Sequence, residues 1–248
     1  MLAFIKTNDS EHKDWLIREA EGLKVLHQQL ALLDNDFIKL PEVIEVNNQK
    51  LVLETINQQT PTNAQWFRFG ESLAQLHYEK QLNYGFKTDN YIGRNFQKNL
   101  LSQDWGTFFF EYRLLYQVSL IQDKPTQESF WNTLDSKKRS IINLLNHKKI
   151  HPSLVHGDLW SGNVLFDEQN AWLIDPAVYY ADREVDIAMS EMFGGFSQSF
   201  YDGYDAIYSR TDEYRQKKPI YNLYHYLNHY NLFGESYFNS CKNIIRAI

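Results

Sequence analysis

The chain has 248 residues, which is enough to bury one sizeable core or two lobes around a cleft. Its formal net charge of −6 argues against a nucleic-acid partner, because neutralising phosphates requires clustered lysines and arginines. The single cysteine excludes an internal disulfide, and the sequence shows neither a signal peptide nor a membrane span. Composition therefore predicts a cytoplasmic protein that has neither a nucleic-acid nor a membrane partner.

The first predicted strand covers residues 2–6 and ends at Lys6. Its letters, Leu-Ala-Phe-Ile-Lys, resemble the strand V-A-I-K of protein kinases, in which the lysine binds nucleotide phosphates. A helix is predicted over 11–30, and Glu19 falls on its apolar stripe beside Leu23. Since a glutamate that faces inward needs a partner, we predict an ion pair between Lys6 and Glu19. The alternative is that both side chains are solvated.

Two further strands are predicted over 42–46 and 50–56. Asn47 and Asn48 join them, and asparagine pairs favour hairpin turns. The second strand continues into a polar stretch before Pro61, which is typical of a hinge between two kinase lobes. In such a hinge, backbone groups at the end of the strand would hydrogen-bond the adenine of ATP, and the residues concerned are Leu53, Glu54, Thr55 and Ile56.

A polar loop and a short hairpin carry the strongest signal in the chain. Residues 154–163 read Leu-Val-His-Gly-Asp-Leu-Trp-Ser-Gly-Asn, and the hairpin that follows ends at Asp175. Asp158 and Asn163 have the spacing of the kinase catalytic loop H-R-D-x-x-x-x-N, and Asp175 stands where the D-F-G aspartate would follow. Phosphoryl transfer depends on orienting a hydroxyl nucleophile and neutralising phosphate charge. We therefore predict Asp158 as the base, and Asn163 and Asp175 as ligands of Mg²⁺, which prefers oxygen.

Neighbouring residues are expected to shape this loop. Gly157 and Gly162 are predicted to permit its backbone turns. His156 is predicted to pack and hydrogen-bond locally, because a zinc site needs further nitrogen or sulfur ligands and the one cysteine is distant, at Cys241. Asp186 opens the next predicted helix, and in kinase-like folds an acid at this place hydrogen-bonds the backbone of the catalytic loop.

The lobe that precedes the loop is short. Only five residues precede Lys6, and no glycine precedes Gly22, whereas kinase small lobes carry two strands and a glycine-rich loop before the lysine strand. Either the given chain starts late or the protein is a natural short form. The sequence thus predicts an α+β, bilobal, protein-kinase-like fold, with a reduced N-terminal β lobe over 1–57 and a mainly helical C-terminal lobe over 58–248. Helices of the second lobe are predicted over 62–78, 105–121, 126–147, 184–193, 197–209, 219–233 and 235–247.

With these residues in view, the chain resembles the fructosamine kinase family, also called ketosamine kinases, within the aminoglycoside- and choline-kinase-like group. The most specific segment is 156–163, in which Trp160 distinguishes the loop from the His-Gly-Asp of the wider group. Other segments resemble the family in the same order along the chain. They are 84–86 with 89–93, 105–109 leading to Arg113, 174–180, 182–186 and 221–234.

The resemblance implies a kinase that uses ATP and Mg²⁺ to phosphorylate the 3-hydroxyl of a ketosamine, the sugar adduct that glycation leaves on an amine. The phosphorylated adduct then falls apart, so the family is associated with protein deglycation, and the substrate is a small-molecule or protein-bound ketosamine. By matching positions, Lys6 with Glu19 would anchor the ATP phosphates, Asp158 would be the base, and Asn163 and Asp175 would hold Mg²⁺.

Trp160 lies beside the predicted base, where its ring could stack on the apolar face of a sugar or could wedge the loop as a core aromatic. Two other functions stay open from the sequence. One is a kinase of a different small alcohol, such as an aminoglycoside or a choline-like compound. The other is an inactive, N-terminally truncated binding protein, because Lys6 would lie at an unprotected sheet edge.

Overall fold

The computed structural model describes residues 3–33, 36–148 and 150–248, so Leu2 of the predicted lysine strand lies outside the described residues. The N-terminal elements are β1 (Ala3–Thr7), α1 (Trp15–Leu30), β2 (Ile38–Lys39), β3 (Val43–Val46) and β4 (Lys50–Glu54). Strands β1, β4 and β3 form an antiparallel sheet in that order. The predicted lysine strand, helix and hairpin are confirmed, although α1 begins four residues after the predicted Glu11 and β4 ends two residues before the predicted Ile56.

This sheet and α1 hold Lys6 in place. Leu51 and Leu53 of β4 pack with Leu16 and Leu23 of α1 in one apolar cluster. Lys6 pairs with Leu51 across the sheet, and residues directly opposite on neighbouring strands point to the same face. The Lys6 side chain therefore points towards α1, the helix that carries the glutamate predicted to be its partner.

The C-terminal part is mainly helical, as predicted. Phe110–Leu115 is a π-helical turn between two short helices, so the segment predicted over 105–121 is one continuous helical run. The helices are α2 (Asn63–Tyr78), α3 (Trp105–Phe109), α4 (Tyr116–Ser119), α5 (Lys124–Leu145), α6 (Glu184–Ser190), α7 (Gln198–Tyr208), α8 (Tyr214–Phe233) and α9 (Phe238–Ala247). The strands are β5 (Asn90–Ile92), β6 (Asn95–Gln97), β7 (Ser153–Val155), β8 (Val164–Phe166), β9 (Ala171–Leu173) and β10 (Tyr179–Ala181).

Helix α8 starts earlier than predicted. The start expected at Pro219 is wrong, because the helix begins at Tyr214 and includes the proline. A proline inside a helix removes one backbone hydrogen bond and costs about 3 kcal/mol. The added turn nevertheless makes tertiary contacts, since Tyr214 is buried and Lys217 Nζ donates to Asp182 Oδ2 at 2.8 Å. Tertiary contacts that the local sequence does not show therefore extend the helix.

The hairpin of β8 and β9, which leads to Asp175, is anchored in the main core. β8 and β9 pair in antiparallel fashion around a turn at 167–170, and β2 adds to β9 in parallel. Phe166 of β8 packs on Trp66 and Phe69 of α2, with ring centroids 4.7 and 5.9 Å apart. α2 starts as predicted, because Thr62 forms a capping box with Gln65. The hairpin is thus fixed to a helix of the large lobe.

Several short strands escaped prediction, namely β2, β5, β6 and β10. Strands of two or three residues are too short to show the alternating pattern from which strands are recognised, and these four lack the neighbouring loop motif that marked the hairpin of β8 and β9. Within the described part of the chain, no helix is long and apolar enough to cross a bilayer. The division into lobes at residue 57 stays a prediction.

Candidate active site

Asp186 holds the backbone of the predicted catalytic loop. Its Oδ2 accepts the backbone N–H of His156 at 2.7 Å, and its Oδ1 accepts the N–H of Gly157 at 2.9 Å. Burial alone would raise the pKa of Asp186, but hydrogen bonds from His77 and the loop hold that pKa below its ordinary value. The predicted contact between this acid and the loop is confirmed, and its fixed negative charge keeps the loop in one shape.

His156 and Gly157 complete the loop as structural residues. Burial lowers the pKa of His156, whose Nε2–H donates to the Ile174 carbonyl at 2.9 Å. The predicted local role of this histidine is therefore confirmed. Gly157 has a φ of +83°, and a Cβ there would lie 2.1 Å from the Ala177 carbonyl oxygen, so only glycine fits.

Asp158 and Asn163 face each other across the loop. The Asn163 side-chain N–H donates to the backbone carbonyl of Asp158 at 2.8 Å and to its Oδ2 at 3.2 Å. Burial raises the pKa of Asp158 to about 7, the nearby charges of Asp175 and Asp186 add to the rise, and the Asn163 hydrogen bond opposes it. The carboxyl thus titrates near neutral pH, where a proton acceptor is most effective.

Lys6 bridges the two halves of the site. Its Nζ lies 2.8 Å from Oε2 of Glu19 on α1. The same atom lies 2.8 Å from Oδ1 of Asp175, which is two residues beyond the end of β9. Burial alone would lower the pKa of Lys6, but the two carboxylates raise it above its ordinary value. Burial raises the pKa of Glu19, against the opposing charge of Lys6. The structure therefore brings Lys6 and Glu19 together as predicted, and adds a contact to Asp175 that the sequence did not suggest.

Asp175 is held in an unusual backbone conformation. Its φ of +54° makes it the one residue other than glycine with a positive φ among residues 3–33, 36–148 and 150–248. Such strain is frequent at functional sites and persists only where the surroundings enforce it. The turn points the carboxylate towards Lys6.

One cavity of about 190 Å³ joins most of the predicted site residues. The residues predicted to contact adenine, 53–56, do not line this cavity. Among them, Leu53 is buried in the apolar cluster of α1 and β4, and Thr55 is exposed. The cavity is lined by Lys6, Trp15, Arg18, Glu19, Asn90, Tyr91, Gly93, Asp158, Trp160, Asn163, Asp175 and Pro176.

Asn163 and Asp175 form a suitable donor set for Mg²⁺. The Asn163 amide N–H is directed at Asp158, which leaves its carbonyl oxygen, and Asp175 adds a carboxylate in the same cavity. Within the described ranges, no group of three His, Cys, Asp or Glu side chains is arranged to hold a metal ion. Since Mg²⁺ usually takes one or two protein ligands together with phosphate oxygens and water, these two residues fit it.

Gly162 has a different role from the predicted one. Its backbone does not require a positive φ. Instead, the Trp160 indole lies over it, and a Cβ on Gly162 would come within 2.2 Å of that ring. The expectation of a special turn at Gly162 is therefore wrong, and the glycine makes room for the tryptophan.

The hairpin formed by β5 and β6 is a part of the site that sequence reasoning missed. Asn90 donates to the Val178 carbonyl at 2.9 Å, which ties the hairpin to the segment after Asp175. Tyr91 donates its hydroxyl to Asp14 Oδ1 at 2.6 Å, next to α1. The segment containing these residues was noted only for family resemblance, since contacts between positions 77 residues apart leave no local pattern.

Comparison with known proteins decides the family. The family model "Fructosamine kinase" matches residues 2–248. The chain belongs to the fructosamine kinase family. It is therefore a kinase, as the catalytic-loop spacing predicted.

Relatives of this fructosamine kinase family member cover nearly all of it. It is 39% identical over 254 residues to "Probable ketoamine kinase VP1481" of Vibrio parahaemolyticus, a match that spans 99% of this chain and 84% of the relative. It is also 35% identical over 245 residues to "Protein-ribulosamine 3-kinase, chloroplastic" of Arabidopsis thaliana, across 98% of this chain and 74% of the relative.

Solved structures confirm the kinase-like fold of this family member. A crystal structure of a protein named as a fructosamine-3-kinase, from Haemophilus somnus 129PT, has a TM-score of 0.86 at 28% identity and covers 99% of this chain and 83% of that one. An ADP-bound aminoglycoside phosphotransferase has a TM-score of 0.62 at 12% identity, covering 98% and 86%, and shares the fold. The predicted α+β, kinase-like fold is confirmed.

Proposed function

We propose that this kinase transfers the γ-phosphate of ATP to the 3-hydroxyl of a ketosamine, a ribulosamine or fructosamine formed on an amine or a protein. The observation that carries the proposal is the single cavity lined by Asp158, Asn163, Asp175, Lys6 and Trp160 in a member of the fructosamine kinase family. The name of the Arabidopsis relative, a protein-ribulosamine 3-kinase, supports the substrate class. Repair of glycated protein would follow, because the phosphorylated adduct falls apart and frees the amine.

The predicted site residues that line the cavity divide the work of this reaction. Asp158 accepts the proton of the attacking hydroxyl while the oxygen of that hydroxyl bonds to the γ-phosphorus of ATP, and ADP leaves. Lys6, held by Glu19, stabilises the charge of the ATP phosphates. Asn163 and Asp175 would hold Mg²⁺, which neutralises phosphate charge when bound. Adenine contacts by Leu53, Glu54, Thr55 and Ile56 stay a prediction, as does the cytoplasmic location.

Trp160 is the side chain that we assign to binding of the sugar. Its side chain is 38% exposed and lines the cavity beside Asp158, which argues against the alternative of a core aromatic that only wedges the loop. An indole face packs well on the apolar face of a sugar ring or chain. We therefore assign Trp160 to the acceptor side of the cavity and Lys6 to the nucleotide side.

Acceptor specificity tests the proposed function. Wild-type protein with ATP and Mg²⁺ is expected to release ADP with a ribulosamine, and to release none above background with the matched 3-deoxy analogue, an aminoglycoside or choline. The 3-deoxy analogue is the control, because it differs only in the hydroxyl that receives the phosphate. Turnover of an aminoglycoside or choline in place of the ribulosamine would contradict the substrate assignment.

Gly162→Ala should impair the acceptor side through Trp160. Because the added methyl group would displace the indole, we expect kcat/KM for a ketosamine to fall about tenfold or more, since a displacement of about 1 Å in an active site can cost about 10²-fold. Comparison with Trp160→Ala and the double variant measures the coupling. If the double variant lost the product of the two single losses, the two residues would act independently and this explanation would be wrong.

The pH dependence of the reaction reports on Asp158. Because burial raises the pKa of Asp158 to about 7, the base is protonated below that pH. We expect kcat/KM for the ketosamine to rise with pH up to about 7 and to fall tenfold per pH unit well below it. Initial rates between pH 5.5 and 8.5 measure this limb, and a flat profile down to pH 5.5 would show that no group with the raised pKa acts as the base.

A further inference from the structure

Aromatic side chains continue from Trp160 across the surface of the large lobe. The ring centroids of Trp160 and Phe193 lie 6.2 Å apart, those of Phe193 and His229 5.2 Å, and those of His229 and Phe233 5.5 Å. We call these four residues the aromatic strip. Phe193 and Phe233 are 42% and 64% exposed, so their rings present a connected apolar surface to solvent.

The strip borders the active-site cavity at Trp160, which belongs to both the strip and the cavity lining. Helix α8 also lies near the cavity, because a Cβ at Gly93, another lining residue, would be 3.4 Å from Leu232 Cδ1. Gly195 packs so closely on Ser161 that a Cβ there would lie 2.6 Å from Ser161 Oγ. The loop that carries Phe193 is therefore seated against the catalytic loop.

The strip carries no formal charge near neutral pH. Tryptophan and phenylalanine are uncharged, and burial lowers the pKa of His229. His229 Nδ1–H donates to the His225 carbonyl at 2.7 Å, and this hydrogen bond fixes the orientation of the neutral imidazole. A surface of this kind binds apolar or aromatic groups and gives a free carboxylate no partner.

A ketosamine has two ends with different chemistry. The sugar end must place a hydroxyl at Asp158, so the substituent on the amine has to leave through the mouth of the cavity. The aromatic strip begins at that mouth, beside the ring already assigned to the sugar. We infer that Phe193, His229 and Phe233 form a subsite for the amine substituent, one that selects ketosamines whose amine carries an aromatic group. This inference rests on the proposed function.

Two ribulosamines that differ only in the amine test the subsite. One is the adduct of methylamine, which is too short to reach past Trp160, and the other is the adduct of benzylamine. We expect wild-type protein to show a kcat/KM about fivefold higher for the benzylamine adduct, as one aromatic contact allows. Phe193→Ala and Phe233→Ala are expected to bring the ratio of the two kcat/KM values close to one. Phe67→Ala is the control, since Phe67 is 38% exposed on α2 and lies outside the strip, and it should keep the wild-type ratio.

The outcomes separate the subsite from the proposed function. A fall of both kcat/KM values by one common factor, or an equal ratio in wild type and both variants, would overturn the subsite while leaving the kinase assignment intact. A wild-type ratio of one would do the same. Because Phe233 is the most exposed member of the strip, its variant reads binding rather than folding. If wild type turned over neither adduct, the proposed function would fail and the subsite with it.

Discussion

Asp158→Asn is expected to lower kcat for the ketosamine by about 10³-fold, because the amide cannot accept the hydroxyl proton. The substitution keeps the size of the side chain. Since the pKa of Asp158 is raised by burial, removing the charge should not destabilise the fold. Release of ADP measures the loss, and thermal unfolding shows whether the fold is intact.

Asp202→Asn is the matched control for this variant. Asp202 is an exposed carboxylate on α7 that accepts a hydrogen bond from Gln198 at 3.0 Å. Its replacement should leave kcat within twofold of wild type, because exposed substitutions away from special features usually have small effects. A kcat for Asp158→Asn similar to that of this control would show that another group activates the hydroxyl.

Lys6→Met is expected to affect both catalysis and stability. Loss of the cation at the phosphate side should lower kcat/KM for ATP by about 10²-fold, the size of effect seen when one electrostatic contact to a transition state is removed. It also leaves the buried Glu19 without its cation, which should reduce the free energy of unfolding by about 3 kcal/mol. Burial already raises the pKa of Glu19, so an unpaired Glu19 destabilises the fold mainly when it is ionised. Because Glu19 is more fully ionised at pH 8 than at pH 5, the loss of stability should be larger at pH 8.

The double variant Lys6→Met with Glu19→Leu separates the two effects. Replacing both members of a buried ion pair by apolar groups can restore stability, so chemical denaturation should give a value near wild type. Activity should stay low, because the cation is still missing. Lys24→Met, an exposed lysine on the same helix, is the control and should change neither quantity. Recovery of activity in the double variant would mean that Lys6 has only a structural role.

The site residues that could be predicted from the sequence are those whose geometry depends on short stretches of chain. The interval from Asp158 to Asn163 lies within one loop, so its geometry depends on a few backbone angles that the sequence constrains directly. The Lys6–Glu19 pair was predictable because helical periodicity fixes the face of α1 on which Glu19 lies. The prediction needed only the assumption that the adjacent strand packs on that face.

Features that depend on distant segments were out of reach. Tyr91 meets Asp14 across 77 positions, and Lys6 reaches Asp175 on the other side of the cavity. The room that Gly162 makes for Trp160 depends on a side-chain orientation that a glycine in a loop does not encode. Likewise, Phe193 and Phe233 belong to one surface only because His229 of α8 contacts both rings.

The position of the new phosphate in the product tests whether the protein phosphorylates the 3-hydroxyl of a ketosamine. Wild-type protein is incubated with ATP, Mg²⁺ and the methylamine ribulosamine, and the product is analysed by phosphorus NMR, with Asp158→Asn in parallel. In spectra recorded before the phosphorylated adduct falls apart, we predict one phosphate ester coupled to the proton on carbon 3 with wild type, and none with the variant. A phosphate on another hydroxyl, or equal product from both proteins, would contradict it.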